Sequence, residues 1–126
     1  RNEQFNFEFQ YPSDWSFHEN TFRSPFSKFN LIGTASGENV PNTIIPSLLV
    51  NIVTQDFANR AFYDLKNIAS NKVVAGVGGL KYEYEFEGFP QVTVDLPFGE
   101  YRMFLGVKKE YEDIFNQILA SFKFLK

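Results

Sequence analysis

"KYEYEFEGFPQVTVDL", residues 81–96, is the stretch on which the fold turns. Tyr82, Tyr84 and Phe86 alternate with Glu83, Glu85 and Glu87, and Val92, Val94 and Leu96 alternate with Gln91, Thr93 and Asp95. A period of two on both sides of Gly88-Phe89-Pro90 reads as the two strands of a hairpin, each with one apolar face. A three-residue loop would pair Phe86 with Val92, Tyr84 with Val94 and Tyr82 with Leu96, so that every apolar residue meets another. Pro97-Phe98-Gly99-Glu100 is a second turn, leading into "YRMFLGVK" at 101–108. An even-length loop there sets Leu96 against Tyr101 and Val94 against Met103, and puts Asp95 beside Arg102. An odd loop would set Arg102 opposite Val94, so the even one is preferred. The expectation is a three-stranded antiparallel meander with one aromatic face.

Moving outward, the spacing predicts a closing helix over 109–122, with Tyr111, Ile114, Phe115, Ile118, Leu119 and Phe122 as its apolar stripe. Glu110, Glu112 and Asp113 fall in its first turn, where the macrodipole favours anions. Upstream, a helix over 56–69 is expected, capped by Asp56, with Phe57, Ala61, Phe62, Leu65, Ile68 and Ala69 on one face. "AGVGG" at 75–79 lacks the Gly-Lys-Ser/Thr ending of a phosphate loop and reads as a glycine hinge or bulge. "SLLVNIVT" at 47–54 is the most apolar β-branched run and so a central strand. Segments 29–35, 16–18 and 21–23 add shorter strands, the last two around a Glu19-Asn20 turn. At the beginning, Phe5, Phe7 and Phe9 alternate with polar residues as a half-buried strand. Pro12 then turns the chain so that Trp15 can fold back over the sheet end, towards the terminal "FKFL", as a structural peg.

The bulk numbers agree with one compact domain spanning 1–126. There is no cysteine, which excludes disulfides, zinc ribbons and thiol chemistry. The net charge is −3 and no basic run occurs, so neither nucleic acid nor an anionic membrane surface is an expected partner. Sixteen phenylalanines and six tyrosines call for a sheet-rich aromatic core. No apolar stretch approaches the roughly 20 residues of a spanning helix. The chain begins at Arg1, which points to an upstream segment removed by processing or by design. A membrane anchor, if the protein has one, would lie there. The fold class is therefore α+β, an antiparallel sheet of about six strands flanked by helices in an α-β-α sandwich.

Three stretches give a family resemblance: a phenylalanine-rich first strand running into "YPSDW" at 11–15, the strand "LLVNIVT" at 48–54 followed by a helix, and "FNQILASFKF" at 115–124. Together they resemble the PsbP-like family, which includes small bacterial exported proteins and lipoproteins similar to the extrinsic subunit of photosystem II. The resemblance implies an α-β-α sandwich, an extracytoplasmic location and a non-catalytic role in binding or assembly. The metal ligands of photosynthetic members map onto no motif here. A nuclear-import cofactor that binds the GTPase Ran shares this fold, so the fold by itself does not fix a function.

Few residues invite chemistry. His18, the only histidine, lies near Asp14, Ser13 and Ser16, but residues so close on a turn seldom converge into a triad, and no nucleophile elbow accompanies them. A surface histidine is the expected reading. Glu83, Glu85 and Glu87 form an acidic ladder with roughly 6.5–7 Å between neighbours, too wide for all three to ligate one cation. Asp95 is expected opposite Glu83, and that pair could hold Ca²⁺ or Mg²⁺, with Arg102 competing. A sheet face that is solvated, or partly covered by a helix, is preferred, and a basic partner surface is the more natural use of the ladder if it has one. Ile44 and Ile45, between Pro41 and Pro46 in the turn-rich 36–46 loop, are the other partner-binding candidates. The sequence thus argues for a non-catalytic, extracytoplasmic module that binds a protein partner and no cofactor. Rivals are a homo-oligomeric surface subunit pairing through strands 5–10 or 21–23, and a hydrolase using carboxylates or His18.

Overall fold

The alternating patterns become strands in the computed structural model, which describes residues 7–19, 27–35, 47–61, 69–86 and 88–124. In chain order the elements are β1 (Phe7–Glu8), β2 (Ser16–Glu19), β3 (Ser27–Thr34), β4 (Leu48–Thr54), α1 (Gln55–Ala61), β5 (Ser70–Val74), β6 (Val77–Phe86), β7 (Phe89–Phe98), β8 (Tyr101–Lys108), α2 (Glu112–Ala120) and β9 (Lys123–Phe124). A single 3₁₀ turn, Lys109–Tyr111, leads into α2. Seven strands form one antiparallel sheet in the order β2-β3-β4-β8-β7-β6-β5, and β1 pairs with β9 in a separate two-stranded ladder. The α+β class holds, with one strand more in the main sheet than the six expected. The addition is β5, whose "SNKVV" carries too short an apolar pattern to stand out.

The β4 run sits inside the sheet, between β3 and β8, as its β-branched composition demands. Leu48, Val50 and Ile52 are fully buried on one face, in line with Leu105, Met103 and Val107 of β8 and Val92, Val94 and Leu96 of β7. This face is covered by α2, through Phe115, Ile118 and Leu119, and by the β1–β9 ladder. Each such side chain contributes about 1.5–3 kcal/mol on burial, far more than the fraction of a kcal/mol typical of an exposed ion pair. The opposite face carries a smaller core of Val53, Tyr82 and Phe104, packed against Phe57 and Ala58 of α1. Helical cover on both faces makes the α-β-α sandwich.

The register of the 81–96 hairpin differs from expectation. Phe86 pairs directly with Phe89, Tyr84 with Gln91 and Tyr82 with Thr93. The reversal is tight, with Gly88 at φ +82°. A shift by an odd number of residues exchanges faces. Tyr82 and Tyr84 therefore share a face with Thr93, while Val92, Val94 and Leu96 look the other way. Matching apolar residues across strands assumes one wet face. Here both faces are covered, and positions 91–96 are all buried, so tyrosines and valines each find a core of their own. The β7–β8 turn keeps the predicted parity but is shorter: Leu96 pairs with Met103 and Phe98 with Tyr101.

Other boundaries shift for local reasons. Thr54, not Asp56, caps α1, its Oγ1 accepting the Phe57 N–H at 3.3 Å. Positions 62–68 lie outside the described residues, and Ala69 lies beyond the helix, next to β5. "AGVGG" is neither hinge nor bulge. Ala75 (φ 51°) and Gly76 (φ 81°) form the β5–β6 turn, and Gly78 and Gly79 belong to β6. A Cβ on Gly79 would lie 2.4 Å from the Asp95 carbonyl oxygen, whereas one on Gly78 would meet nothing within 4 Å. Phe5 lies outside the described residues; among these, the first strand is β1 (Phe7–Glu8), which is no edge of the main sheet but pairs with β9, Phe7 opposite Phe124. The strand expected at 21–23 lies outside the described residues.

Trp15 is 7 % exposed. Its N–H donates to the Pro12 carbonyl at 3.0 Å, closing the "YPSDW" turn. Its ring meets Tyr111 edge-on at 5.3 Å; it pegs the first turn to the entrance of α2, while the rings of the terminal segment pack against Phe7 and Phe9 instead. That entrance is also tied to β6. Lys81 donates to Glu112 at 2.9 Å and Lys109 donates to Glu112 at 2.7 Å and to Glu83. These hydrogen bonds, first from Lys109 and then from Lys81, hold the Glu112 carboxyl below its ordinary value.

Three outcomes follow from this packing. Trp15→Ala should destabilise the domain by about 3–5 kcal/mol in urea unfolding. Gly79→Ala should cost about 1–3 kcal/mol through overpacking against β7, while Gly78→Ala should leave the unfolding midpoint nearly unchanged. A carboxyl with a depressed folded value stabilises the fold fully above its unfolded value, near 4.5, and loses that contribution as pH falls through the folded value. The stability gap between the wild type and Glu112→Gln should thus be widest near neutrality and should shrink in acid, as unfolding titrations at a series of pH values would show.

Candidate binding site

The new register separates the two carboxylates expected to face each other. Glu83 lies opposite Val92 on the α2 side of the sheet, exposed and paired with Lys109. Asp95 lies opposite Leu80 and Phe104 on the α1 side, buried, and accepts from Arg102 Nε at 2.8 Å. The Asp95–Arg102 neighbourhood is as expected, but Glu83 and Asp95 cannot share a cation across the sheet. Glu85 follows Glu83 on the α2 side, exposed and opposite Pro90. Glu87, Ile44 and Ile45 lie outside the described residues. His18 is exposed on edge strand β2, opposite Ile32, with Ser16 two residues along the same face.

Of the polar face expected from the sequence, Glu83 and Glu85 are exposed, whereas Gln91, Thr93 and Asp95 form a buried polar row. Tyr84 Oη and Thr93 Oγ1 are hydrogen-bonded at 2.8 Å across the β6–β7 pair. Burial raises the Tyr84 hydroxyl above its ordinary value, with the Thr93 bond acting against the rise. Tyr82 is raised by burial and by the charge of Asp95, with Arg102 opposing. The Tyr84 hydroxyl thus serves as a hydrogen-bonding group within the packed layer.

A recess that the sequence did not reveal lies at the opposite end of the sheet, on the α2 side. It has a volume of about 240 Å³ and is walled by Phe7, Phe9, Phe17, Phe29 and Leu31, with Glu8, Tyr11 and Glu19 completing the lining. Three elements build it. β3 supplies Phe29 and Leu31 from the sheet; edge strand β2 supplies Phe17 and Glu19, which point to the same face by the period of two. β1 and the turn after it supply the rest from above. Phe17 lies across Gly33, where a Cβ would come within 2.6 Å of its ring, so a glycine on β3 lets that wall sit close to the sheet. The rings support one another: Phe9 meets Phe17 at 5.9 Å and Tyr11 at 6.0 Å, and Tyr11 meets Phe17 at 4.1 Å. Phe7 and Phe29 are almost wholly buried and form the floor, whereas Tyr11 is 48 % exposed and Glu19 is exposed at the mouth. The signal in the sequence was the excess of aromatics around positions 7–17, which the periodicity assigned wholly to the core.

No protein-family model matches the chain, and no curated protein matches it by sequence. Among solved structures the fold is similar to that of LpqN of Mycobacterium tuberculosis, described as involved in cell envelope biogenesis, at a TM-score of 0.53 and 16 % identity, covering 95 % of this chain and 83 % of that one. A protein of Bacteroides thetaiotaomicron solved at 1.50 Å superposes at a TM-score of 0.47 and 16 % identity, covering 95 % of this chain but only 45 % of that one, so the chain spans less than half of that protein's length. At such identity the likeness to LpqN is one of fold.

Proposed function

We propose that this chain is a non-catalytic binding or assembly module of the PsbP-like type that works outside the cytoplasm. The observation that carries the reading is the shared architecture with LpqN, an envelope-biogenesis protein, over most of both chains. The use made of the charged groups is consistent with it. Asp95 is paired with Arg102, and Glu83 and Glu112 with lysines, so these carboxylates act as ties within the fold. The concave feature on the α2 side is walled mainly by aromatic rings, which suits recognition of a ligand by shape and apolar contact.

The test is fractionation of the native host followed by protease treatment of intact spheroplasts. The reading expects the protein in the envelope or released fraction, digested from outside, and migrating in native gels in a complex heavier than its own 14.6 kDa. Confinement to the cytosol, or turnover of an envelope substrate by the purified chain that is lost in a His18→Ala variant, would contradict it.

A further inference from the structure

We infer that the aromatic recess is a binding site for an organic cation with an apolar body, such as an alkylammonium group. The floor and walls are apolar: Phe7, Phe29 and Leu31 are buried or half-buried, and Phe9 and Phe17 close the sides. A volume of about 240 Å³ exceeds the roughly 150 Å³ cavity that accommodates benzene in an engineered core. It falls short of the several hundred cubic ångströms of a pocket for a drug-sized molecule. It therefore admits one short chain or one ring.

Among the described residues the charged groups at the site are of one sign: Glu8 and Glu19 line it, and no basic side chain of those residues joins them. An anionic ligand would face two carboxylates, and a neutral apolar one would leave them without a role. A cation would gain from both carboxylates and from the ring faces, since aromatic quadrupoles attract alkylammonium groups by about 0.5–2 kcal/mol. Tyr11, held against Phe9 and Phe17 at the mouth, is the ring placed where a charged head would sit while its tail occupies the floor. The two carboxylates come from different elements, β1 and β2, so the charge is focused only once the ladder is docked on the sheet. This assignment goes beyond the proposed module function and does not depend on the compartment in which it acts.

Calorimetric titration of the full chain with n-hexyltrimethylammonium, n-hexanol and n-hexanoate tests it. The cation should bind at one site about tenfold or more tighter than hexanol, weaken as salt is raised, and hexanoate should give no heat of binding. Glu8→Gln with Glu19→Gln should remove most of the preference for the cation, and Tyr11→Leu should weaken it several-fold. Glu8 and Glu19 are at least partly exposed, so the glutamine variants should keep the wild-type unfolding midpoint, while the Tyr11→Leu result is taken at a temperature where that variant is folded, because its ring packs on Phe17. Glu85→Gln, exposed on another part of the sheet, should bind like the wild type. Equal binding of hexanol and the cation, no binding of any probe, or an equal loss in Glu85→Gln would overturn the assignment.

Discussion

Phe7 joins the two ends of the chain to the middle of the sheet. Its ring is 1 % exposed, lies parallel to Phe122 at 5.6 Å, and meets Phe29 and Phe98 edge-on at 5.9 and 6.4 Å. The need for such a residue follows from lengths. The strands of the central sheet run eight residues or so, roughly 26 Å, whereas the nine residues of α2 span roughly 13 Å. One helix cannot cover that face. The remaining apolar surface is closed by the β1–β9 ladder, and two paired residues per strand are too few to hold a ladder in place by hydrogen bonds alone. The stack of Phe7, Phe9 and Phe122 does it by burial.

The recess is a consequence of the same arrangement. The ladder covers the sheet from above at β3 and β2 but leaves a gap between its own rings and those of the sheet. Phe7 and Phe29 form the bottom of that gap and Phe9 and Phe17 its sides. Residues that are core on one side of Phe7 thus become walls on the other. The opening "FNFEFQYPSDW" accordingly serves two purposes. Trp15 is a packing residue, while Phe7, Phe9 and Tyr11 pack and also line the recess.

Much of the fold could be read from the sequence because burial of one face leaves a periodic trace. The β4 run, the α2 stripe of Phe115, Ile118 and Leu119, and the Asp95–Arg102 neighbourhood are all legible in that way, although the helix expected to reach 122 ends at Ala120. The hairpin register was not, because residues Gln91, Thr93 and Asp95 look solvated in sequence yet are buried, with Thr93 bonded to Tyr84 and Asp95 paired with Arg102. Periodicity states which residues share a face. It does not state how far the helical cover expected on each side reaches along the strands. The site was less legible than the fold. Glu83 and Asp95 depended on the register and fall on opposite faces; the recess depends on contacts between separate elements, such as Phe7 of β1 with Phe29 of β3, which no local spacing encodes. No family model and no curated protein matches the chain, so the grounds for a functional proposal are geometric, and the aromatic recess is one such feature among the described residues.

The most direct test of this account is a double-mutant cycle between Phe7 and Phe122, each replaced by leucine to keep apolar volume and remove the ring. If the stacked pair fastens the ladder to the core, urea unfolding of the two single variants and the double variant should give a coupling of about 0.5–1.5 kcal/mol. Additive losses, with no coupling beyond experimental error, would show that the ends of the chain are held by something other than this contact and would contradict the account.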